Sequence, residues 1–417
     1  MSVLGYTGSM DNQWMYVDFN SYFASVEQQL DPKLRGKPVA VMPMASDATC
    51  AIAASYEAKA FGVKTGTPIW EAKKMCPGIL CVPANHEAYV TFHEKIVEEI
   101  DRHVPVAKVC SIDEVACQLM DNERARAVAL AGEIKKGLRE RVGECITCSI
   151  GFAPNCYLAK VATDMKKPNG LVFIREEELP GKLYGLSLRD LPGIGANMEV
   201  RLKRHSVLDM QMLCALDMRQ MRKIWGGVEG ERMWLRLKGI DLPDVETTRQ
   251  SVGHSHVMAP ELRMPEKART VGRRLVAKAA ARLRRIGYVA SRISVSMRVE
   301  EGERFEASMD CDRVCDSLTF LSLFNQMWEY IIKEAGLVKI KKIGVTLSGL
   351  EEEGCDQYEF FSNAKKEKEE RISRVLDRIN QKYGQDSVSL GALPTLGKAV
   401  GTKIAFTRIP EKEEFLE

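Results

Sequence analysis

Hydrophobic and polar positions change their period several times along this chain, and each change marks an element. Met15, Tyr16 and Val17 form a short β-prone apolar run that ends on Asp18. Runs of this kind predict strands over 14–19, 37–42, 49–54, 106–112, 115–120 and 145–152. Apolar residues at helical spacing predict helices over 21–29, 55–61, 67–75, 86–102, 122–142 and 155–165. Alternation of this sort through the first 175 residues points to an α/β or α+β core. Residues 176–246 read as short helices and turns, among them Leu191-Pro192-Gly193-Ile194-Gly195. The polar, aperiodic stretch DLPDVETTRQS at 241–251 reads as a linker.

From 252 to 350 the predicted order is strand, helix, strand, helix, strand. In ASRISVSMRV, Ile293, Val295, Met297 and Val299 alternate with Arg292, Ser294, Ser296 and Arg298, so an apolar face packs inward and Arg and Ser face out. VKIKKIGVTLSGL repeats the idea with Lys339 and Lys341, but its inward set slips by one residue between Ile340 and Ile343, which predicts a bulge. Leu321, Leu323 and Phe324 share a helical pattern with Met327, Trp328 and Ile331 and read as core. The tail carries an amphipathic helix near 363–383 through Ile372, Val375, Leu376 and Ile379.

The 417 residues allow roughly two to four domains, and 45% apolar with 28% charged residues is ordinary globular composition. There is no long uncharged apolar run, so no membrane span is expected, and MSVLGYTGSMDNQ lacks the blocks of a signal peptide. Twelve scattered cysteines fit free thiols in a reducing cytoplasm. Cys145-x-x-Cys148 is half of a zinc pattern with no second pair, and ITCSIGF reads as a buried strand instead. A net charge of +3 says little, but its distribution says more: residues 263–298 hold eleven Lys and Arg against one acid, Glu266. A one-sign block points to a polyanionic partner.

Asp18 in MYVDFNSYFASVE, with Asp113 and Glu114 in VCSIDEVACQLM, is the constellation that carries chemistry. Three carboxylates are too few for a calcium cage. They suit a pair of hard divalent cations whose other ligands are water and phosphate. Asn20, Ser21 and Tyr22 follow at a strand-to-helix junction, where backbone amides at a helix start can seat a triphosphate or serve as ordinary caps. Tyr56 and Lys59 lie three apart on a predicted helix and so share a face. The glycines of LPGIG permit a tight hairpin whose amides form an anion nest for a phosphate.

VDFNSYFASVE, SIDE, AASYEAKAFGVKTG, SIGFAPNCYLAKVATDMKKPNG, LPGIG and SVGHSHV, in that order, resemble the motifs of the Y-family translesion DNA polymerases, in their UmuC-like bacterial branch. The resemblance covers roughly residues 12–361. It implies an α+β right hand with a ferredoxin-like palm, small fingers, an all-helical helix-hairpin-helix thumb and a C-terminal α/β little finger. The implied bounds are palm 12–22 and 79–175, fingers 23–78, thumb 176–246, linker 247–251, little finger 252–350 and tail 351–417.

Carried over, Asp18, Asp113 and Glu114 bind two magnesium ions with help from the Phe19 carbonyl. Asn20, Ser21, Tyr22, Tyr56, Lys59 and Lys160 contact the dNTP, and Phe23 is a steric gate against ribonucleotides. Primer–template DNA meets Gly193, Gly195, Arg292, Ser294, Ser296, Arg298, Lys339 and Lys341. Gln357, Phe360 and Phe361 resemble a peptide that docks a β-type sliding clamp, and accessory SOS proteins are further partners. The setting implied is cytoplasmic and nucleoid-associated. One departure is Cys156, where many relatives have Lys, which removes a phosphate contact if that lysine makes one. The rival readings are a magnesium nuclease using the same carboxylates and a non-catalytic DNA- and clamp-binding accessory protein.

Overall fold

The run that ends on Asp18 forms β1 (Trp14–Phe19), the central strand of a five-stranded sheet in the computed structural model. The structure describes residues 13–47, 49–245, 248–336, 339–353, 364–384, 387–391 and 409. They fall into two units that divide between Asp244 and Val245.

In the first unit β1 is followed by α1 (Tyr22–Leu30), β2 (Val39–Met42), β3 (Ala53–Ala54), α2 (Tyr56–Lys59), α3 (Ile69–Met75), β4 (Leu80–Pro83) and α4 (His86–Asp101). Next come β5 (Lys108–Ser111), β6 (Glu114–Gln118), α5 (Asp121–Ala125), α6 (Ala127–Gly137), β7 (Cys148–Ala153), α7 (Cys156–Met165) and β8 (Leu171–Phe173). The main sheet runs β5-β6-β1-β7-β8, with β1 antiparallel to both neighbours and β8 parallel to β7. A smaller sheet, β3-β2-β4, packs its Ala40 and Ala54 with Ala51, Ala58 and Ile69.

β1 is buried on both faces, as a central strand must be. Tyr16 shares a cluster with Ala116, Ala153, Leu158 and Ala159, so this face of the sheet carries α7. Gly151 on β7 lets the helix come close: a Cβ there would lie 2.2 Å from the Ala159 carbonyl oxygen and 2.8 Å from the Ala162 methyl. Cys148 is buried in β7, in line with its reading as a strand residue.

The predicted strands and helices of this unit are present within a few residues, and three departures have local causes. β4 and β8 were not expected: they are only four and three residues long and incompletely buried, too short to display a period. The strand expected over 49–54 shrinks to Ala53–Ala54, with Cys50 joined to Pro68 by an isolated bridge. The single helix expected over 122–142 breaks at Arg126 and ends in a π-helical turn, Leu138–Val142, whose Arg141 ties to the buried Glu99 of α4 (Nε to Oε2, 2.6 Å).

Four short helices complete the unit: α8 (Ala196–Arg204), α9 (Met210–Ala215), α10 (Met218–Trp225) and α11 (Val228–Leu237). Asp209 and Asp217 cap α9 and α10 by accepting the Met212 and Gln220 amides at 2.8 and 2.7 Å. Part of the stretch read as a linker is pinned to this unit. Asp241 accepts the Trp14 indole N–H at 2.8 Å, and Asp244 pairs with Lys108 at 2.6 Å.

The second unit contains β9 (Ser251–Val257), α12 (Pro265–Arg285), β10 (Tyr288–Val299), β11 (Arg304–Val314), α13 (Ser317–Ala335), β12 (Ile340–Glu352) and α14 (Ala364–Tyr383). Its antiparallel sheet runs β11-β10-β12-β9 and packs one face on α12 and α13. Leu321, Phe324, Met327, Trp328 and Ile331 are buried there, as the pattern predicted, joined by Phe320, while Leu323 is only partly buried. β11 was missed although Phe305, Ala307, Met309 and Cys311 alternate with Glu306, Ser308, Asp310 and Asp312; as an edge strand it leaves that inward set only partly covered until Val314, which is buried.

The tail helix leaves the foreseen stripe of Ile372, Leu376 and Ile379 only partly buried and adds polar anchors to it. Val375 is exposed, whereas Ser373 is fully buried and accepts the Ser317 amide at 3.0 Å. Arg284, itself buried, donates to both Asp377 oxygens at 2.6 and 2.7 Å and to the Cys315 carbonyl at 2.6 Å. No helix among the described residues is long and apolar enough to cross a membrane.

Candidate active site

Register alone brings two of the three carboxylates together. Asp18 lies directly opposite Glu114 on β6 and Ser149 on β7, and opposed residues of antiparallel strands project on one face. Asp113, in the turn before β6, accepts the Phe19 amide through its carbonyl at 2.9 Å. Like charges set directly across a ladder repel. Here α7 supplies the relief.

Lys160 bonds to Asp18 Oδ2 and lies 2.7 Å from Glu114 Oε1. Lys167, just past the end of α7, reaches Asp18 Oδ1 at 2.7 Å. Tyr16, two residues before Asp18 and on the same face, donates its hydroxyl to Glu114 Oε2 at 3.0 Å. Asp113 instead accepts the Ser111 hydroxyl at 2.7 Å. Among the described residues, no three His, Cys, Asp or Glu side chains converge as a ready-made metal cage. The ammoniums hold the oxygens.

The charges respond to this setting. Burial pushes the Asp113 carboxyl above the usual range, and the charges of Glu114 and Asp18 add to it against the Ser111 hydrogen bond. For Lys160 burial acts downward, yet the negative charges of Asp18, Glu114 and Asp164 outweigh it and hold the ammonium above an ordinary lysine. Lys167 follows the same logic with Asp18. Lys59 goes the other way, lowered by burial and by the nearby Lys167 charge.

A cavity of about 410 Å³ opens beside these groups. Asp18, Phe19, Ser21, Tyr22, Phe23, Tyr56, Lys59, Asp113, Glu114, Lys160 and Lys167 all line it, with Ala53 and Ala54 making one wall. Lys59 lies 4.4 Å over the Tyr56 ring, so the shared helix face was read correctly. Phe23 stacks on Tyr89 (centroids 4.4 Å, planes 16° apart), and Tyr89 is itself held by Glu27 at 2.6 Å. The gate candidate is therefore a braced ring.

Asn20 departs from expectation. Its amide donates to the Thr147 carbonyl at 2.9 Å. Its side chain is buried among Ser149, Thr147 and the Asn169 amide, and it does not line the cavity. It braces the loop after α7 and offers no amide to a triphosphate. Ser21 takes a left-handed backbone (φ 49°, ψ 42°), unusual for a serine and a mark of a constrained junction. Lys167 and Tyr16 escaped the sequence reading. Both had a signal: Lys167 is seven residues after Lys160, and Tyr16 is two before Asp18 on a strand.

Of the polyanion-facing candidates, Gly193 adopts φ +90° and Gly195 caps α8. The loop is tied to α7 by the Tyr157 hydroxyl donating to the Pro192 carbonyl at 3.0 Å. On the second unit's open sheet face, Arg298 stands between Arg304 on β11 and Lys342 on β12. The foreseen bulge falls at Lys341, so Lys342 is the lysine in register with Arg298, in place of Lys341 or Lys339. Arg292 at the other end is paired with the opposed Asp310 at 2.6 Å, and Ser294 bonds Ser308 at 2.8 Å. Ser296 lies opposite Glu306. Gln357, Phe360 and Phe361 lie outside the described residues.

Two models of the impB/mucB/samB family match, one over residues 17–164 and its C-terminal domain over 249–360. The chain is 30% identical to DNA polymerase IV 1 of Bacillus subtilis (strain 168) over 385 residues, 90% of this chain and 92% of that protein. It is 31% identical to DNA polymerase IV of Moorella thermoacetica over 390 residues, covering 90% and 95% of the two. Among solved structures, a Y-family DNA polymerase chimera of Dbh and Dpo4 superposes with a TM-score of 0.68 at 25% identity, over 81% of this chain and 98% of that one.

Proposed function

The chain belongs to the Y family of DNA polymerases and is a DNA-directed translesion DNA polymerase, and from that premise we propose that it extends primer–template DNA by two-magnesium nucleotidyl transfer from dNTPs within an SOS-type damage response. The observation that carries this reading is the cavity in which Asp18, Asp113 and Glu114 face Tyr56, Lys59, Lys160 and Lys167. Acid for cations and base for phosphate lie side by side.

The donor set fits hard divalent cations. Asp18 and Glu114 present carboxylate oxygens on one face, Asp113 adjoins them, and positive charge already sits among those oxygens in the form of two ammoniums. Asp18, Asp113, Glu114 and the Phe19 carbonyl would hold the ions, which when bound activate the primer hydroxyl and neutralise charge at the phosphates. The chain's own side chains do the rest. Lys59, Lys160 and Lys167 bind the triphosphate, and amides at the start of α1, at Ser21 and Tyr22, add to that field. The Phe23 ring, braced by Tyr89, closes the space a 2′-hydroxyl needs. Lysine at position 59 supplies charge without the forked geometry of arginine, so that contact holds the phosphate less rigidly.

We assign palm, fingers, thumb and little finger to the bounds that the motifs imply, with α14 grouped with the little finger because Arg284 and Ser317 hold it there. The outward row Arg304, Arg298 and Lys342 favours phosphate contact and thus sequence-indifferent, salt-sensitive DNA binding. Gln357, Phe360 and Phe361 remain the proposed clamp-docking peptide on sequence grounds. Primer extension on undamaged and abasic templates tests the central reading. Wild type should extend both and Asp113→Ala neither. Equal extension by the variant, or strand cutting in place of synthesis, would overturn it.

A further inference from the structure

A fourth carboxylate touches the site from outside. Asp164 lies on α7, four residues after Lys160 and three before Lys167. Its Oδ2 is 3.4 Å from Lys160 Nζ and its Oδ1 is 2.7 Å from Lys167 Nζ. It does not line the cavity, and its side chain is 34% exposed against 6% for Asp18. Each lysine therefore has an inner anchor in Asp18, to which Lys160 adds Glu114, and an outer one in Asp164.

The two anchors are not equivalent. Both Asp18 oxygens are taken by ammoniums, so a divalent cation reaches Asp18 only when the lysines give way. A lysine is a point charge on a flexible four-carbon stem, and one released without a partner swings into water. The outer carboxylate prevents that while itself staying off the cavity wall.

We infer that Asp164 is a positioning residue, which keeps the Lys160 and Lys167 ammoniums at the cavity rim when a divalent cation replaces them on Asp18, so that both charges stay available to a triphosphate. The inference rests on the proposed nucleotide site. It adds a hand-over: lysines that neutralise the unloaded carboxylates become the ones that bind the nucleotide.

Mn²⁺ binding to the nucleotide-free, full-length protein, followed by electron paramagnetic resonance, separates the outcomes. Asp164→Asn should raise the Mn²⁺ Kd and the dNTP KM by about fivefold each, the size of a partly exposed ion pair, while kcat at saturation holds. Asp164→Glu should restore both values, which guards against a folding defect. In a Lys160→Met/Lys167→Met background, Asp164→Asn should leave the Mn²⁺ Kd where the double variant has it. An unchanged Kd and KM in Asp164→Asn would overturn the inference. So would the same loss of Mn²⁺ binding without the lysines, since Asp164 would then act as a bare charge. Asp18→Asn reports on the underlying reading: Mn²⁺ binding that survives it means the site itself is misassigned.

Discussion

In the first unit, charges far apart in the chain meet; in the second, charges close together in the chain are drawn apart. Asp18, Glu114, Lys160 and Lys167 come from two strands, a helix and the loop that follows it, onto one face of one sheet. The basic stretch 263–298 does the reverse. Arg263 goes to Glu300, Arg269 to Glu329, Arg284 to Asp377 and Arg292 to Asp310, each acid lying later in the chain. Of the four arginines and serines foreseen on the open strand, Arg298 keeps cations as its cross-strand neighbours. Charge density along a sequence is thus a poor guide to charge density in space. Register and helix seating decide it.

The sharpest way to break this contrast is at the carboxylates. Asp113→Ala should reduce primer extension by about a thousandfold, measured under single turnover, while the fold and DNA affinity persist. A residual rate near wild type would remove the site from the chemistry. In the second unit the matching change is Arg284→Ala, which leaves Asp377 and the Cys315 carbonyl without their donor. It should cost the unit about 3 kcal/mol in urea unfolding, and a loss under about 0.5 kcal/mol would make the pair incidental.

Phe23→Ala should raise the ratio of ribonucleotide to deoxynucleotide incorporation by on the order of tenfold or more. An unaltered ratio rejects the braced ring as a gate. Next in size, Arg298→Ala with Lys342→Ala should weaken DNA binding about tenfold and lower the salt slope by about 0.9 for each phosphate that is no longer neutralised. Arg292→Ala should do less, because Asp310 already neutralises that residue. Equal effects from both ends of the strand would contradict a division between a paired and a cation-flanked arginine.

The smallest effect is on pH. His256 is held below the ordinary histidine range, first by burial and then by the Arg274 and Lys278 charges. The folded protein therefore refuses a proton that the unfolded chain accepts below about pH 6.5. Its contribution is intact above that pH and lost on acidification, so His256→Gln should flatten the fall in stability between about pH 7 and pH 5. An identical acid slope in the variant counts against it.

Much of the architecture was legible because the elements that matter are long or strongly periodic. β1 falls on the predicted bounds, and the inward set Ile293, Val295, Met297 and Val299 is buried as its alternation required. What stayed hidden in the sequence was short: β4 and β8 bury too little to stamp a pattern on the chain, whereas the edge strand β11 carries a clean alternation from Phe305 to Asp312 that was there to be found. At the site, motif order pointed to the residues around the cavity, yet it could not say that Asn20 turns inward or that Lys167 turns toward Asp18. Those outcomes depend on the loop 166–170, whose Asn169 and Gly170 amides donate to Asn20 Oδ1 and Ser149 Oγ. The α14 docking was illegible for a different reason. Ser373 and Asp377 look like solvent-facing positions until Arg284 and Ser317 arrive from elsewhere.

Gly151 has no functional group, yet the reach of both lysines depends on it. The helix rests on the strand at the spot where a methyl would collide with the Ala159 carbonyl, one residue before Lys160. A single added carbon would lift that turn of helix and slide the ammoniums away from the aspartate beneath them. The electrostatics of the pocket is in this sense tuned by a missing side chain.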